Sequence, residues 1–150
     1  MKFFRHPLIW VMVLIISSWP GFLYAASVLK PSTVCFQSDC INVEVVSRKE
    51  DTARGLSGRD SLALGQGMLF VFSGDGIYNF WMKGMKFPLD IIWIGYDGQV
   101  KDVMANLPAC AADPCPVYVP SEKARYVLEI PAGFAAAHGI TKSSRAKITF

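Results

Sequence analysis

Trp81, Lys83 and Asp90 lie close together in the chain and have the side-chain types that recognise a small polar ligand. An indole ring offers an apolar platform, an ammonium group donates hydrogen bonds, and a carboxylate accepts them. This group therefore predicts a binding site for a sugar or another small polar molecule. The alternative is structural, with Trp81 packed in the core and Asp90 accepting hydrogen bonds from loop amides before a strand.

Arg59 and Glu129 form a second group, and Arg54 belongs with them. A guanidinium group binds a carboxylate or a phosphate through two parallel hydrogen bonds. Glu129 would act as a general base if it were buried beside Trp81 or Tyr126, because desolvation raises the pKa of a carboxyl group. The structural alternative is an Arg–Glu ion pair that fixes a helical turn to the sheet, since such pairs also perturb pKa values without catalysis.

Asp90 and Glu129 together are the pair that a glycan-directed hydrolase would need. Such an enzyme places two carboxyl groups about 5–10 Å apart across an open cleft. No glycine-rich phosphate loop follows a strand and opens a helix in this sequence, so phosphoryl transfer and nucleotide cofactors lack support. We expect no cofactor and no bound metal, and we favour a non-catalytic binding module over an enzyme.

The four cysteines form two pairs of equal spacing, Cys35 with Cys40 and Cys110 with Cys115. An even number of cysteines in an exported chain favours disulfides, and local pairing is the simplest of the three possible connectivities. We interpret both pairs as loop clamps. A four-cysteine zinc site is the functional alternative, whereas a catalytic redox pair would have the spacing Cys-x-x-Cys.

A periplasmic copper or redox accessory protein is a third hypothesis. Thioether sulfurs and an imidazole suit Cu(I) in an oxidising compartment. Met82 and Met85 lie close to Trp81 in the sequence, and His138 belongs to the same domain. Consecutive strand residues point to opposite faces, however, so the side chains of Trp81 and Met82 would diverge. Methionine is also a common filler of apolar cores.

The first 25 residues have the organisation of a signal peptide. Lys2 and Arg5 precede the apolar run of residues 8–16, and small residues follow at 25–27. The run is shorter than the roughly 20 residues that span a bilayer, and an uncleaved membrane anchor is the alternative. Cleavage after Ala25 would leave 125 residues that keep all 12 acidic residues but lose two basic ones.

Removal of this segment changes what the composition implies. The net charge falls from +3 for the whole chain to +1, so charge does not support nucleic-acid binding. His138 becomes the single histidine, which excludes a zinc site with several histidine ligands. With 52% hydrophobic and 18% charged residues, the chain is not disordered as a whole. We expect a periplasmic or secreted protein whose partner is a small molecule or an envelope component, with membrane contact only through the signal segment before cleavage.

Short strands are the elements that must position these side chains. Apolar and polar residues alternate in residues 41–46 and 125–130, and residues 68–72 form an apolar run. Strongly β-prone residues follow Pro88, namely Leu89, Ile91, Ile92, Trp93 and Ile94. In residues 125–130 the even-numbered residues point inward, and Glu129 lies on the opposite face with its odd-numbered neighbours. Asp97-Gly98 lies between two apolar runs, which is typical of a hairpin.

The spacing of these elements predicts the fold class. Residues 50–63 contain a turn or a short helix, and residues 133–138 resemble a short helix. Several short strands at close spacing predict a mainly β fold, a single compact β-barrel or sandwich-like domain with one to three short helices. We place the signal peptide at 1–25, an N-terminal leader at 26–40 and the β-rich domain at 41–150.

Four segments occur in a fixed order in the second and last thirds of the chain, and each alone would be a weak signal. They are 54–59 (Arg-Gly-Leu-Ser-Gly-Arg), 67–72 (Gly-Met-Leu-Phe-Val-Phe), 80–83 with 88–92 (Phe-Trp-Met-Lys and Pro-Leu-Asp-Ile-Ile) and 124–133 (Ala-Arg-Tyr-Val-Leu-Glu-Ile-Pro-Ala-Gly). Together they resemble the domain-of-unknown-function family 192. The resemblance implies a compact β-rich fold and no established reaction.

Two departures from that family pattern bear on the predicted site. After Phe-Trp-Met-Lys the family usually has Asn-Thr, whereas this chain has Gly84 and Met85. Near the end the family often has Gly-Ile-x-x-Gly-Asp, whereas Gly139-Ile140 is followed here by Ser143-Ser144. If the Asn-Thr pair contacts a ligand in the family, this chain lacks those polar contacts.

Overall fold

A computed structural model describes residues 31–150, and the predicted signal peptide lies outside the described residues. Within them, nine strands and two short helices follow one another along the chain. They are β1 (Thr33–Phe36), β2 (Asp39–Val46), α1 (Lys49–Arg54), β3 (Gln66–Gly76), β4 (Phe80–Trp81), β5 (Leu89–Ile94), β6 (Val100–Leu107), β7 (Val117–Tyr118), β8 (Ala124–Pro131), α2 (Phe134–Ala137) and β9 (Ala146–Thr149). Neither helix is long and apolar enough to cross a membrane.

Seven of the strands form one curled sheet in the order β6-β5-β8-β3-β2-β1-β9, and β4 pairs with β7 in a small second sheet. All neighbouring pairs are antiparallel except β2 and β3, which are parallel. The two edges of the large sheet meet at one corner, where Gln99 bridges Arg145 and the amide of Ala146 donates to the carbonyl of Gly98 at 2.8 Å. The sheet is therefore a half-barrel, and the predicted mainly β fold is confirmed.

Apolar clusters cover both faces of the large sheet. Successive strand residues point to opposite faces, so Ile92 of β5 joins one cluster and Ile91 joins the other. The inner cluster includes Val100 and Ala146 from the two meeting edges. The outer cluster includes Leu56 from the turn that follows α1, and Phe80 and Tyr118 of the small sheet pack against it. Because both faces are covered, all six residues of β5 are buried, including Asp90.

The turn between β5 and β6 confirms the predicted hairpin. Gly98 has a φ of 81°, a left-handed conformation that glycine adopts without strain. A side chain at Gly98 would also collide with the carbonyl oxygen of Ala146 on β9. Glycine at this position therefore serves both the turn and the corner where the sheet closes.

The predicted N-terminal leader of residues 26–40 includes part of the sheet. Within it, β1 pairs with β2 on one side and with β9 on the other. A strand of four residues has too short a pattern to be recognised by alternation, and its turn to β2 contains Gln37 at a φ of 54° where glycine would be the usual signal. Among residues 31–150, the first strand thus begins at Thr33, inside the predicted leader.

Candidate functional site

Glu129 lies at the centre of a row of side chains that crosses the outer face of the sheet. The strand register aligns Glu44, Met68, Glu129, Ile91 and Met104 on β2, β3, β8, β5 and β6, respectively. Directly paired residues of neighbouring strands share a face, so all five side chains point to the outer side. The prediction that Glu129 lies opposite the inward residues of β8 is confirmed, but its face is covered by the outer cluster.

The carboxyl group of Glu129 is buried without a hydrogen-bond partner. The side chain is 5% exposed, and within residues 31–150 its Oε2 has no partner. Burial raises the pKa of Glu129 from 4.5 to about 8, although the positive charge of Arg59 opposes the rise. Desolvation is the larger of these two opposing effects. Glu129 is therefore protonated at neutral pH and offers a hydroxyl donor.

An open pocket of about 310 Å³ reaches from the surface down to Glu129. Its polar lining includes Arg54, Ser57 and Lys83. Its apolar lining includes four large side chains, which are Phe70, Phe80, Trp81 and Met85. The volume is at the lower end of the range for small-molecule sites, and an apolar wall with a few polar groups is typical of such sites.

One wall of the pocket is the connection from β2 to β3, which contains α1. Gly55 ends the helix with φ 51° and ψ −134°, a conformation that side-chain-bearing residues rarely adopt. A Cβ atom at Gly55 would lie 3.3 Å from the Phe70 ring and 3.9 Å from Oε2 of Glu129. Glycine at this position adds no side chain next to this buried oxygen, and Glu129 is part of the pocket lining. Leu56 anchors the same wall because it is buried in the outer cluster.

The opposite wall is β4 with the turn that follows it. Phe80 packs edge-on against Phe70, with ring centroids 4.9 Å apart, and against Trp93 at 6.0 Å. Trp81 points the other way and is 55% exposed, so it does not pack in the core as the structural alternative predicted. Lys83 also lines the pocket, and its Nζ lies 3.0 Å from a carboxylate oxygen of Asp113.

A hydrogen bond joins the two walls of the pocket at Gly84, where this chain departs from the family pattern. The amide of Gly58 donates to the carbonyl of Gly84 at 2.9 Å. Gly84 has a φ of 70°, and asparagine is the residue other than glycine that most readily adopts this left-handed conformation. Glycine in place of the family's asparagine thus keeps the backbone geometry. It removes a polar side chain, and Met85 adds an apolar one to the pocket.

Asp90 lies outside the pocket, on the inner side of the sheet. It pairs in register with Ile130, whereas Glu129 pairs with Ile91, so the two carboxyl groups are on opposite faces. Asp90 is fully buried and accepts hydrogen bonds from the amides of Asn106 (2.7 Å), Gly133 (3.1 Å) and Ala135 (2.8 Å). This arrangement matches the structural alternative for Asp90. It also argues against a glycan hydrolase, because no cleft separates these two carboxyl groups.

Arg59 lies in a neighbouring groove and contacts Glu44. Its guanidinium nitrogen is 2.6 Å from a carboxylate oxygen of Glu44 on β2, and both side chains are partly exposed. The pair fixes the turn after α1 to the sheet, as the structural alternative predicted, but the acceptor is Glu44. Of the five predicted binding residues, Trp81, Lys83 and Glu129 come together, while Arg59 and Asp90 do not join them.

The residues of the copper hypothesis are separated by the sheet. Met82 belongs to the outer cluster and Met85 packs against it. His138 instead stacks on Phe134, a neighbour of the inner cluster, and its Nδ1 is 3.0 Å from Asp39. The four cysteines form the two local disulfides, Cys35–Cys40 and Cys110–Cys115.

Several pocket residues lack a distinctive sequence signal. Phe70 and Phe80 lie in apolar runs where any member is a core candidate, and only the strand register shows which of them face the pocket. Gly55 and Ser57 belong to the 54–59 segment, whose glycines predict a turn but no ligand. The sequence does not distinguish Arg54 from Arg59. In the structure, Arg54 lines this pocket and Arg59 lines the neighbouring groove.

Comparisons with known proteins give a family and two solved folds. The family described as "Uncharacterized ACR" matches residues 33–148. A protein of unknown function from Novosphingobium aromaticivorans shares 29% identity at a TM-score of 0.70, covering 78% of this chain and 83% of that chain. A Sinorhizobium meliloti protein described as a candidate transcription regulator shares 26% identity at a TM-score of 0.68, covering 78% of this chain and 91% of its own. No curated protein matches.

Proposed function

Since the chain belongs to the domain-of-unknown-function family 192, for which no reaction is described, we propose a function from this chain's own pocket. The protein is an exported cell-envelope domain that binds a small ligand between the α1 connection and β4, without covalent chemistry. The ligand contacts Glu129 at the base of the pocket and Trp81 and Lys83 at its opening.

One observation carries this proposal, namely the unpartnered buried carboxyl of Glu129 at the base of an open pocket. Burying a polar group without a hydrogen-bond partner costs roughly 1–3 kcal/mol. A group that is kept at such a cost and that faces an opening is well explained by a ligand that completes its hydrogen bonds. Trp81 supports the same function, because a large exposed ring beside a pocket is typical of a recognition surface.

A binding role fits the pocket better than catalysis does. Glu129 is its single carboxyl group, and the other titratable side chains of its lining are Arg54 and Lys83. Ser57 supplies a hydroxyl group, but the imidazole of His138 lies beside Asp39 and Phe134, and the ammonium group of Lys83 contacts Asp113 at 3.0 Å. Within residues 31–150, neither of these possible bases is hydrogen-bonded to the Ser57 hydroxyl, as an activated nucleophile would be.

Export is the second part of the proposal. The charged, apolar and small-residue regions of the first 25 residues support it, and two disulfides are compatible with an oxidising compartment. The proposal does not include nucleic acid as a partner, because a net charge of +1 after cleavage lacks the basic surplus that phosphate backbones attract.

A fragment screen by NMR tests the binding function. A set of neutral, anionic and cationic fragments is added to the ¹⁵N-labelled oxidised protein, and amide shifts are followed in Gly55, Phe70 and Lys83. We expect fragments to shift these pocket amides and Trp81→Ala to weaken that binding severalfold. Tyr96→Ala is the matched control, because Tyr96 is an exposed aromatic residue outside this pocket. The binding function is wrong if no fragment shifts the pocket amides, or if both variants bind equally well.

Expression of the full chain in a Gram-negative host tests export. We expect the product in the periplasm, with Ala26 as its first residue and with no thiol that reacts with an alkylating agent before reduction. A cytoplasmic product with its N-terminal segment intact and free thiols would contradict this part of the proposal.

A further inference from the structure

We propose that the ligand of this pocket is a small carboxylate anion with an apolar, ring-sized body, held by the unpartnered carboxyl group of Glu129 at the base and by Lys83 and Arg54 at the rim. This inference rests on the proposed binding function and names the chemical class of the ligand.

Glu129 supplies the directional part of the recognition. Its Oε2 lies beside Gly55, where a side chain would otherwise cover it, and no protein group in the described part of the chain bonds to it. Because the group keeps its proton at neutral pH, it donates a hydrogen bond to an acceptor and does not repel an anion. An acid–carboxylate hydrogen bond is charge-assisted and is among the stronger hydrogen bonds in proteins.

The charges around Glu129 favour an anion over a cation. With Glu129 neutral, the charged groups of the pocket lining are the cations Arg54 and Lys83. Asp51 and Asp113 contact these cations at 3.5 Å and 3.0 Å, but neither lines the pocket.

The remaining charged neighbour is Arg59, which is paired with Glu44 in the adjoining groove. Its positive charge lowers the pKa of Glu129, and it favours an anion in the same way as the two cations of the lining. An incoming ammonium group would instead meet positive charge at the rim and a hydroxyl donor at the base.

The apolar walls determine the body of the ligand. Phe70, Phe80, Trp81 and Met85 provide aromatic and thioether surfaces, and the volume of about 310 Å³ holds one ring with a short substituent. Ring–ring contacts of this kind add roughly 0.5–1.5 kcal/mol beyond the burial of apolar area. A fully polar anion such as inorganic phosphate would make no apolar contact with these side chains.

Three probes of nearly equal shape and different charge test this inference, namely benzoate, benzamide and benzylamine. Each is titrated by NMR into the oxidised protein at pH 6.5 and pH 9.5, with shifts read at the pocket amides. We expect benzoate to bind most tightly at pH 6.5 and about tenfold or more weakly at pH 9.5, because each pH unit above the pKa of Glu129 removes about nine-tenths of the donor form.

Two variants separate the contributions. Glu129→Gln keeps a neutral donor, so we expect benzoate to bind it with affinities within twofold at the two pH values. Lys83→Gln should weaken benzoate about three- to fivefold without changing benzamide binding, because an exposed charge contributes little to a neutral ligand. Lys123→Gln is the matched control, since Lys123 lies outside the pocket lining, and it should leave benzoate binding unchanged.

The outcomes distinguish failure of this inference from failure of the proposed function. Tighter binding of benzylamine, strengthening as the pH rises, would show a cation site and overturn the inference, while the binding function would stand. Equal affinity for benzoate and benzamide, or a pH dependence that persists in Glu129→Gln, would overturn it as well. If no probe and no screened fragment shifts the pocket amides, both proposals are overturned.

Discussion

Two carboxyl groups on adjacent strands, Asp90 of β5 and Glu129 of β8, are both buried in this small domain and have opposite surroundings. Asp90 faces the inner side, where three backbone amides from the end of β6 and the start of α2 donate to it. Glu129 faces the outer side, where its buried Oε2 has no hydrogen-bond partner in the described residues and the residue lines a pocket. The two residues are neither conformationally unusual nor distant from each other.

The difference shows how one residue type serves the fold in one place and recognition in another. The three donors make Asp90 part of the scaffold, because they compensate the cost of burial within the chain itself. Glu129 lacks that internal compensation, so the chain retains a group whose hydrogen bonds are still available to a ligand. Burial alone therefore does not distinguish a structural carboxyl from a recognition group, whereas the number of donors within reach does.

The largest expected effect comes from removing the satisfied carboxyl. Asp90→Ala leaves three amides without an acceptor in the buried join between β6, α2 and the sheet, and we expect a loss of about 5 kcal/mol in the free energy of unfolding. Urea denaturation followed by circular dichroism measures it. Asp75→Ala replaces an exposed aspartate and should change stability by less than about 0.5 kcal/mol. A small effect of Asp90→Ala would show that the contrast with Glu129 is not one of hydrogen-bond satisfaction.

The unsatisfied carboxyl should behave in the opposite way. The pKa of Glu129 is about 8 in the folded protein and 4.5 in its ordinary state, so the unfolded chain releases this proton first as the pH rises. The contribution of Glu129 to the free energy of unfolding is fully present below pH 4.5. It falls by about 5 kcal/mol as the pH rises towards 8. Glu129→Gln removes this dependence, and we expect it to be about 3 kcal/mol more stable than the parent at pH 8, allowing for its own unpaired amide.

Urea unfolding at pH 5, 6.5 and 8 measures the effect of Glu129→Gln. Glu50→Gln, which replaces an exposed glutamate of α1, is the control and should follow the parent at each pH. Parallel curves for Glu129→Gln and the parent would mean that Glu129 is ionised in the folded protein.

A smaller effect is expected at Gly55, which lies beside the buried carboxyl group of Glu129. Gly55→Ala places a methyl group in a strained left-handed conformation, 3.3 Å from Phe70, and should cost about 1–3 kcal/mol. It should also weaken benzoate binding, because the methyl group narrows the approach to Oε2. Gly74→Ala is the matched control, since nothing lies within 4 Å of its added carbon. Thermal denaturation and the NMR titration measure the two effects, and an unchanged affinity would place the ligand elsewhere in the pocket.

The smallest expected change concerns the charge that acts on Glu129 from outside the pocket. Arg59→Gln breaks a half-exposed ion pair with Glu44 and should cost less than about 1 kcal/mol. Because the positive charge of Arg59 lowers the pKa of Glu129, its removal should raise that pKa further. A ¹³C-detected titration of the Glu129 carboxyl measures the direction, with Lys147→Gln as a distant control. A lowered pKa would exclude Arg59 as a neighbour of this group.

The two carboxyl groups also show which features of the site can be predicted from the sequence. The apolar run of β5 and the alternation of β8 predict these strands, and their parity places Asp90 and Glu129 on definite faces of each strand. Alternation within a strand does not show which residues of the neighbouring strand lie beside it. The register of β5 with β8 is therefore needed to show that Asp90 and Glu129 lie on opposite faces of the sheet. The burial of the outer face depends on Leu56 in the turn after α1 and on Phe80 of β4, which come from distant parts of the chain.

Trp81 and Phe80 illustrate the same limit at the level of one residue. Both are aromatic and adjacent, and either could be the core member of a two-residue strand. The pairing of β4 with β7 turns Phe80 towards Phe70 and Trp93 and leaves Trp81 at the surface. The sequence shows that Gly84 lacks the side chain of the family's asparagine. It does not show that this position has a φ of 70°, a conformation that glycine and asparagine both adopt.

The connection from β2 to β3 joins the parallel strands of the sheet and forms one wall of the pocket. None of the residues of α1 is buried, and Leu56 is the apolar anchor of the turn that follows. In native-state hydrogen exchange, amides protected by few apolar contacts open locally, whereas amides of buried central strands open only when the whole domain unfolds. The amides of residues 49–58 should therefore exchange orders of magnitude faster than those of β5, and a bound carboxylate should slow them selectively.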